Sequence, residues 1–235
     1  TRLFSLLYRK TLNIGRVQTP TLAMLTERHN QISFFRKETF YKVNVHIGGV
    51  TASTERINDE ANAKIILSSC KNNPVVCKSV ISERKSVAVP KLFDLTSLQR
   101  EANKILGYTA KQTLDYAQSL YEKKLITYPR TDSRYLTDDM AETFNAVLHM
   151  AAKVPPFDVV PNFYPSTEQV INNKKVSDHH AIIPTKELEK TDLSTLTNGE
   201  KLLLLLIICR VLCAVYYPYT YESVTTAFGC DEHKF

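Results

Sequence analysis

The sequence lacks the cysteine pairs of a zinc site and the long apolar runs of a membrane protein. Its five cysteines include no Cys-x-x-Cys pair, so we expect reduced thiols in a cytoplasmic protein rather than a metal or disulfide framework. The most apolar stretch, residues 202–208, is too short to span a membrane. The first residues show no signal-peptide pattern. Both ends look cut, and we expect an internal piece of a longer protein.

The composition indicates a folded protein with a basic surface. The 235 residues are 43% hydrophobic, which is enough for one large domain or two small domains with real cores. The formal net charge is +6, and the basic residues are scattered along the chain rather than packed in a tail. Such a charge favours a polyanionic partner without proving one.

The most informative residue is Tyr128, within Leu-Ile-Thr-Tyr-Pro-Arg-Thr-Asp-Ser at 125–133. Pro129 lacks an N–H group and disfavours the helical region for the residue before it, so Tyr128 is predicted to lie in an extended segment. Side chains two apart in an extended chain point to the same face, so Tyr128 and Arg130 can reach one phosphate together. The pair therefore suits a nucleophile that attacks a phosphodiester while an arginine binds the non-bridging oxygens.

The chemistry of tyrosine sets a condition on this hypothesis. An ordinary phenol, with a pKa of about 10, is only ~0.1% ionised at neutral pH, so a nucleophilic tyrosine needs nearby positive charge or a base. The alternative is a buried loop tyrosine followed by an arginine in a salt bridge. Nine residues alone leave both interpretations open, because short motifs recur by chance.

Adjacent histidines, His179 and His180, form a second candidate group just before an apolar triplet and Pro184. One imidazole could donate to a phosphate or move a proton near neutral pH. Metal binding is the competing interpretation, but adjacent side chains point apart and no acidic or cysteine cluster surrounds them. A structural role, such as a hydrogen bond from His179 to the backbone, is a further alternative.

Periodicity predicts strands towards both ends of the chain and helices between them. Alternating apolar residues around Gly48 and Gly49 predict a β-hairpin over 39–54. Residues 74–87 and 219–228 also have strand character. A β domain interrupted by an inserted helical domain is one interpretation, because strands on either side of an insertion pair when its ends lie close together.

The helices are predicted from caps and apolar spacing. The expected caps are Thr19, Thr96 or Ser97, Thr109 and Thr137, with one helix ending at Gly107 and a last helix over 199–216. Two helices joined by Gly107-Tyr108-Thr109 resemble a helix-turn-helix, which is weak support for DNA binding because plain helical domains also contain it. Residues 153–175, rich in proline and asparagine, are predicted to form a loop.

Three segments follow one another in a fixed order along the chain. They are Gly-Arg-Val-Gln-Thr-Pro-Thr-Leu at 15–22, the tyrosine segment at 125–133, and Asp-His-His-Ala-Ile-Ile-Pro-Thr at 178–185. Together they resemble type IA DNA topoisomerases, and the variants look most like the topoisomerase III branch; residues 95–103 are similar as well. Chance recurrence of three ordered motifs is far rarer than of one, which strengthens the assignment of Tyr128.

The resemblance implies a mechanism and a set of site residues. Tyr128 would attack one strand to give a 5′-phosphotyrosine and a free 3′-hydroxyl, and resealing would need no ATP because the bond energy is conserved. Arg130 would stabilise the phosphate, and His179 would assist the movement of protons and charge. The residues expected to contact single-stranded DNA are Arg16, Gln18, Thr19, Thr131, Ser133 and His180.

The resemblance also implies an α+β fold in the central region of such an enzyme, with a split β gate domain and an inserted helical domain that contains the helix-turn-helix. The end of a DNA-entry helical domain is expected at 1–34. The gate domain is expected at 35–89 plus 217–235, and the helical domain with the tyrosine at 90–216. The expected partner is single-stranded DNA, with no membrane association and a monomeric state.

The family's acidic Mg²⁺ domain is expected to lie outside this chain, since no Asp-x-Asp-x-Glu run is present. We therefore expect no metal site in the chain and no activity from the chain alone. Two alternatives stay open. One is a non-catalytic DNA-binding module, supported by charge and the helix-turn-helix. The other is an enzyme like the tyrosine recombinases, which need an arginine three residues after a histidine, where this chain has Ile182 and Ile183.

Overall fold

The structure, a computed structural model, describes residues 2–159 and 165–235. The chain divides into two compact units, one of Thr1–Ile81 with Val224–Phe235 and one of Ser82–Ser223. Both helices and strands are present, in agreement with the mixed composition predicted from periodicity. The division of the chain into a split gate domain and an inserted helical domain stays a prediction.

The first unit begins with helices that bury none of their residues. Its elements are α1 (Arg2–Leu7), α2 (Gln18–Ser33), β1 (Asn44–Ile47), β2 (Val50–Ser53) and α3 (Glu60–Cys70). The predicted cap Thr19 is wrong, because α2 begins one residue before it. The Thr19 hydroxyl instead accepts a hydrogen bond from the Gly15 N–H (3.1 Å), which closes the turn that leads into the helix.

The predicted hairpin is confirmed, with a shorter paired region than 39–54. Strands β1 and β2 are antiparallel, with Ile47 opposite Val50. The turn needs glycine because Gly48 and Gly49 have φ values of 52° and 85°, in the left-handed region that side chains with a Cβ avoid.

Two long strands run through both units and carry the chain from one to the other. Strand β3 (Val76–Val87) pairs with β4 (Tyr219–Cys230), and β4 pairs antiparallel with the short β5 (His233–Lys234). In the first unit the turn after β4 is fixed to α3, because the Asp231 carboxylate accepts hydrogen bonds from Ser69 (3.0 Å) and Asn73 (2.6 Å).

Helices dominate the second unit. They are α4 (Leu95–Leu106), α5 (Ala110–Glu122), α6 (Ala141–Ala151) and α7 (Asn198–Ala214). The turn between α4 and α5 is confirmed, since Gly107 ends α4 at a φ of 72° and the Thr109 side chain caps α5. No helix in the described part of the chain combines the length and apolarity needed to cross a bilayer.

Three predicted boundaries differ in the structure. Helix α4 is capped by Asp94, because its carboxylate accepts from the Ser97 N–H, rather than by Thr96 or Ser97. Thr137 caps no α-helix through its side chain, since a single 3₁₀ turn (Asp138–Met140) separates it from α6. Helix α7 begins at Asn198, one residue before the predicted start, behind the cap Thr197.

The region predicted to be a loop over 153–175 contains three short 3₁₀ turns. These are Phe157–Val159, Glu168–Val170 and Asn173–Lys175. The part of this prediction that falls on residues 160–164 lies outside the described residues.

Two apolar clusters form the core of the second unit. One joins α4, α5 and the first half of α7 to Leu125, Ile126 and Ile182. The other joins α6 and the second half of α7 to Leu136, Ala181 and Ile183 among others. Ile182 packs in the first cluster and Ile183 in the second, as expected for an extended chain whose side chains alternate. The core therefore fixes this segment from both sides.

A buried carboxylate joins α5 to the start of α7. Glu200 is 3% exposed. It accepts hydrogen bonds from Lys123 Nζ (2.6 Å), Ser119 Oγ (2.5 Å) and the Thr197 N–H (2.9 Å). Burial raises the pKa of Glu200, but the hydrogen bonds from Lys123, Ser119 and Thr197 outweigh that effect and hold the pKa at about 2, against an ordinary 4.5.

We expect Glu200→Gln to lower the free energy of unfolding by roughly 3 kcal/mol near neutral pH, where the carboxylate is fully charged. A depressed pKa adds stability above the ordinary value of 4.5, and this stability is lost as the pH falls towards about 2. Urea unfolding should therefore show a difference from the wild type that shrinks between about pH 6 and about pH 3. The exposed Glu189→Gln serves as control, with a cost under about 0.5 kcal/mol. A difference that is constant over this range would contradict the role assigned to Glu200.

Candidate active site

The segment that carries Tyr128 is extended, as predicted from Pro129. Ile126 forms an antiparallel bridge with Pro184, and the Thr127 N–H donates to the Ile183 carbonyl (2.9 Å). The Thr127 hydroxyl donates to the Ala181 carbonyl (3.1 Å) and accepts from the Ile183 N–H (3.0 Å). Pairing with residues 181–184 therefore brings the tyrosine motif and the histidine motif side by side.

This pairing brings Tyr128 and His179 into contact. Their ring centroids lie 4.6 Å apart with planes tilted by 50°. The ring of Tyr121, from the last turn of α5, meets Tyr128 edge-on at 5.5 Å. Tyr128 is partly buried and His179 is exposed, so the phenol is held between two rings at an accessible surface. Two predicted site residues from motifs about fifty positions apart thus form one cluster.

Burial alternates along the residues after Tyr128. Pro129 is buried, Arg130 is exposed, and Thr131 is buried again, so Tyr128 and Arg130 lie on the more accessible side of the segment. Within residues 2–159 and 165–235, Arg130 forms no salt bridge with a carboxylate. The alternative in which Arg130 is a salt-bridging residue has no support there, and its guanidinium is accessible to an anionic ligand.

The two adjacent histidines have different surroundings. The backbone of His179 is held in place because its carbonyl accepts a hydrogen bond from the Thr131 hydroxyl (3.0 Å). In His180, ring Nδ1 lies 2.8 Å from the Ala181 carbonyl oxygen. A carbonyl oxygen can only accept, so Nδ1 of His180 donates and carries the proton. A hydrogen bond from the His179 ring to the backbone was one alternative for this residue. In the structure the His180 ring forms such a bond.

Thr131 and Ser133 are both buried, and their hydroxyls bond within the protein. Thr131 Oγ1 also accepts from the Ser133 N–H (3.1 Å). Ser133 Oγ donates to the carbonyl of Lys175 (2.9 Å). These bonds position His179 and Lys175, and the DNA contacts expected of Thr131 and Ser133 stay a prediction.

The three remaining predicted site residues belong to the first unit. Arg16 lies in the turn before α2, and Gln18 and Thr19 form its first residues. All three are exposed. Tyr128 belongs to the second unit, so these three residues and Tyr128 lie in different units.

An ion pair behind the tyrosine segment is not predicted by the sequence pattern. Arg134 Nε donates to the Asp94 carboxylate (2.7 Å), and the Leu95 N–H donates to the Thr131 carbonyl (3.0 Å). Burial raises the pKa of Asp94, but hydrogen bonds from Ser97 and Arg134 outweigh it and leave the pKa below the ordinary value. Asp94 therefore fixes α4 to residues 131–134. An aspartate just before an amphipathic helix was the signal that could have identified the cap.

A cationic cluster beside the same segment is also not predicted by the sequence pattern; it is formed by Lys91, Tyr135 and Lys175. Lys175 Nζ lies 4.8 Å from the Tyr135 ring centroid and 3.4 Å from its hydroxyl, and Lys91 Nζ lies 5.5 Å from the centroid. Lys91 has the largest effect on the Tyr135 pKa and, with Lys175, outweighs burial so that the pKa is lowered. Tyr135 and Lys175 follow Lys91 by 44 and 84 positions, and no local sequence signal predicts that these three residues are in contact.

A family-wide sequence profile described as DNA topoisomerase matches residues 1–235, the whole chain. The chain belongs to this family. DNA topoisomerase 3 of Shouchella clausii is 40% identical over 96% of this chain and 32% of that protein. DNA topoisomerase 3 of Staphylococcus epidermidis is 35% identical over 100% of this chain and 34% of that protein. The resemblance to the topoisomerase III branch is therefore confirmed.

A solved topoisomerase has a similar fold. The structure of full-length topoisomerase I from Thermotoga maritima matches 96% of this chain with a TM-score of 0.71 and 26% identity, and the match covers 38% of that protein. This chain spans about a third of the length of the curated topoisomerases that it matches.

The Mg²⁺ that the resemblance implies finds no suitable set of ligands in the described residues. Among residues 2–159 and 165–235, no group of three or more His, Cys, Asp or Glu side chains is placed to hold a metal ion. Asp94, which contacts the tyrosine segment, is already paired with Arg134 and caps α4, and Asp132 within the segment accepts a hydrogen bond from the Ser177 hydroxyl (3.5 Å). These residues of the topoisomerase chain therefore do not fit a resident metal ion.

Proposed function

We propose that this chain carries the nucleophile of a type IA DNA topoisomerase, which cleaves and reseals one DNA strand through Tyr128. The observation that supports this most is the contact between the rings of Tyr128 and His179, 4.6 Å apart, beside an exposed Arg130. A phenol, an imidazole and a guanidinium supply a nucleophile, a proton carrier and a phosphate-binding fork, the three groups that transesterification of a phosphodiester needs.

The proposed reaction exchanges one phosphoester for another. The phenol oxygen of Tyr128 attacks phosphorus and loses its proton, the bond from phosphorus to the 3′ oxygen breaks, and that oxygen gains a proton and leaves as a hydroxyl. The product is a 5′-phosphotyrosine. Attack by the same 3′-hydroxyl reverses each change. Because one ester bond is always present, resealing requires no ATP, and a second strand can pass while the first is open.

His179 and Arg130 have separate roles in this reaction. The imidazole of His179 packs against the phenol and is exposed, so it can carry a proton between the phenol, the leaving oxygen and solvent. Thr131 holds the backbone of His179 and so keeps the ring next to Tyr128. Arg130 is free to grip two non-bridging oxygens, whose negative charge grows in the transition state.

The whole protein is proposed to extend beyond this chain. The matched relatives are about three times as long, which leaves room for a separate acidic domain that supplies Mg²⁺. We propose that the chain is the central part of such an enzyme and is inactive alone, that it binds single-stranded DNA as a monomer, and that it acts in relaxation or decatenation. Arg16, Gln18 and Thr19 are proposed to contact the strand that leads to the cleavage site.

The test is capture of the covalent adduct with single-stranded DNA that is labelled at one end. The assay uses a protein of the relatives' full length that contains this chain, and the 235-residue chain beside it, both with Mg²⁺. A 5′-phosphotyrosine leaves the 3′ label on the protein after denaturation and releases the 5′ label. We expect this result from the longer protein, and neither adduct nor relaxation of supercoiled DNA from the chain alone.

Other outcomes identify the alternatives. Retention of the 5′ label would show the 3′-phosphotyrosine linkage of a tyrosine recombinase. Binding without any denaturant-resistant adduct would indicate a non-catalytic DNA-binding module. Relaxation by the 235-residue chain alone would show that the acidic domain is not required.

A further inference from the structure

The cationic cluster of Lys91, Tyr135 and Lys175 concentrates positive charge at one point of the surface. Both lysines are exposed, and their ammonium groups approach the same phenol. Like charges that converge on one group repel each other, and a site of this kind gains free energy when an anion binds between them. The lowered pKa of Tyr135, which Lys91 causes most, is a second sign of this positive potential.

The charge of the cluster is not compensated by carboxylates in the described part of the chain. Two neighbouring cations are paired: Arg134 with Asp94, and Arg210 with Glu101. By contrast, neither lysine of the cluster forms a salt bridge within residues 2–159 and 165–235. The guanidinium groups of Arg134 and Arg210 are therefore neutralised, whereas the two ammonium groups of the cluster are available to a ligand.

The chemistry of the three side chains fits a phosphodiester. Lysine binds phosphate as a compact point charge with three donors, and a phenol adds one directional hydroxyl donor. A phosphodiester has a single negative charge shared by two oxygens, so two ammonium groups and a hydroxyl can all contact it. Among the anions that a topoisomerase meets, the DNA backbone offers this group at every nucleotide.

The cluster is attached to the same paired segments as Tyr128. The carbonyl of Tyr135 accepts from the Ala181 N–H (2.9 Å), and that of Lys175 accepts from Ser133 Oγ (2.9 Å). Tyr135 follows Tyr128 by seven residues, so their Cα atoms are at most ~25 Å apart even if the chain is fully extended. One short stretch of a DNA strand can thus reach both positions.

We propose that Lys91, Tyr135 and Lys175 form a second phosphate-binding site, which holds a backbone phosphate of the DNA strand that Tyr128 cleaves. This inference rests on the proposed function, because it takes the strand at Tyr128 as its ligand. The site contributes affinity and register, while the chemistry at the scissile phosphate belongs to Tyr128, His179 and Arg130. It carries no sequence preference, since phosphate contacts position a strand without reading its bases.

The first test measures the salt dependence of binding of a single-stranded oligonucleotide to the 235-residue chain. The double variant Lys91→Gln with Lys175→Gln should bind about tenfold more weakly. Its slope of log Kd against log salt concentration should fall by about 0.7, because the site neutralises one phosphate and each phosphate contributes about 0.7 for single strands. The matched control, Lys104→Gln with Lys111→Gln, removes the same charge from exposed positions on α4 and α5. Equal slopes for these two double variants would overturn the proposal.

The second test identifies the contacted phosphate. Oligonucleotides that carry one uncharged methylphosphonate at successive positions should show one position, besides the scissile phosphate, at which the wild-type chain loses affinity. At that position the Lys91→Gln, Lys175→Gln variant should be insensitive, and Tyr135→Phe should be partly insensitive. Replacement of both lysines by arginine should restore sensitivity, which excludes a general loss of structure. A scan whose pattern is the same in all variants would overturn the proposal.

Failure of this inference and failure of the proposed function give different results. If the full-length wild type forms the covalent adduct but the lysine variants bind like the control, Tyr128 is the nucleophile and the second site is absent. If the lysine variants differ from the control while no adduct forms, the cluster binds DNA and the cleavage proposal fails.

Discussion

Tyr128→Phe is expected to abolish the covalent adduct and to leave DNA binding nearly unchanged. The substitution removes only the hydroxyl oxygen that would attack phosphorus. The ring stays, and with it the packing against His179 at 4.6 Å and the edge contact with Tyr121 at 5.5 Å. Loss of a catalytic nucleophile costs on the order of 10⁴- to 10⁶-fold in rate, which places the variant below detection in an adduct assay.

The measurement for Tyr128→Phe pairs two readouts on the full-length protein. Denaturing electrophoresis with an end-labelled strand reports the adduct, and fluorescence anisotropy reports affinity. Tyr116→Phe is the control, because it also removes one phenolic oxygen, from a ring that packs against Gly199 between α5 and α7. The control should form the adduct at the wild-type level. An adduct that survives denaturation in Tyr128→Phe would show that another residue is the nucleophile.

Local sequence signals predicted the parts of this site that depend on neighbouring residues. Pro129 was enough to predict an extended Tyr128, because its effect on the preceding residue is local. Gly48 and Gly49 predicted the hairpin turn for the same kind of reason, and both have positive φ values. The wrong cap for α4 shows the limit of local rules: Asp94, Thr96 and Ser97 are all good caps, and the bond from Asp94 to Arg134 favours Asp94.

Contacts between distant residues could not be predicted from periodicity. The ring contact of Tyr128 with His179 depends on the pairing of Thr127 with Ile183, and nothing near either motif in sequence specifies that register. Resemblance to topoisomerases placed the two motifs in one site by analogy. It gave no indication of the cluster at Tyr135, whose lysines come from loops before α4 and before the histidine motif.

The buried polar residues of this site fix the tyrosine segment, and the exposed polar residues are the ones proposed to take part in the reaction. Three buried residues, Thr131, Ser133 and Asp94, form hydrogen bonds with the backbone or with Arg134. These residues fix the segment, because a buried polar group that lost its partner would cost about 1–3 kcal/mol. Arg130 and His179 are exposed, beside a phenol that two rings immobilise. The groups proposed to contact a phosphate are thus accessible beside buried residues that fix the segment.

Arg130→Lys is expected to slow cleavage strongly although it preserves the charge. The planar guanidinium presents parallel N–H donors to two oxygens, whereas an ammonium offers a point charge on a flexible stem. The exposure of Arg130 and the absence of a carboxylate partner among residues 2–159 and 165–235 leave both faces of the fork available to phosphate. Loss of such a donor pair in the transition state should cost about 2–4 kcal/mol, or roughly 30- to 1,000-fold in rate.

Single-turnover cleavage by the full-length protein at saturating DNA measures this cost, because saturation removes any change in affinity from the rate. Arg100→Lys, an exposed arginine on α4, is the control and should cleave at the wild-type rate. The salt dependence of binding should be alike in Arg130→Lys and wild type, since one positive charge is kept in both. A cleavage rate within about threefold of wild type would correspond to less than about 1 kcal/mol and would show that Arg130 supports the segment rather than the transition state.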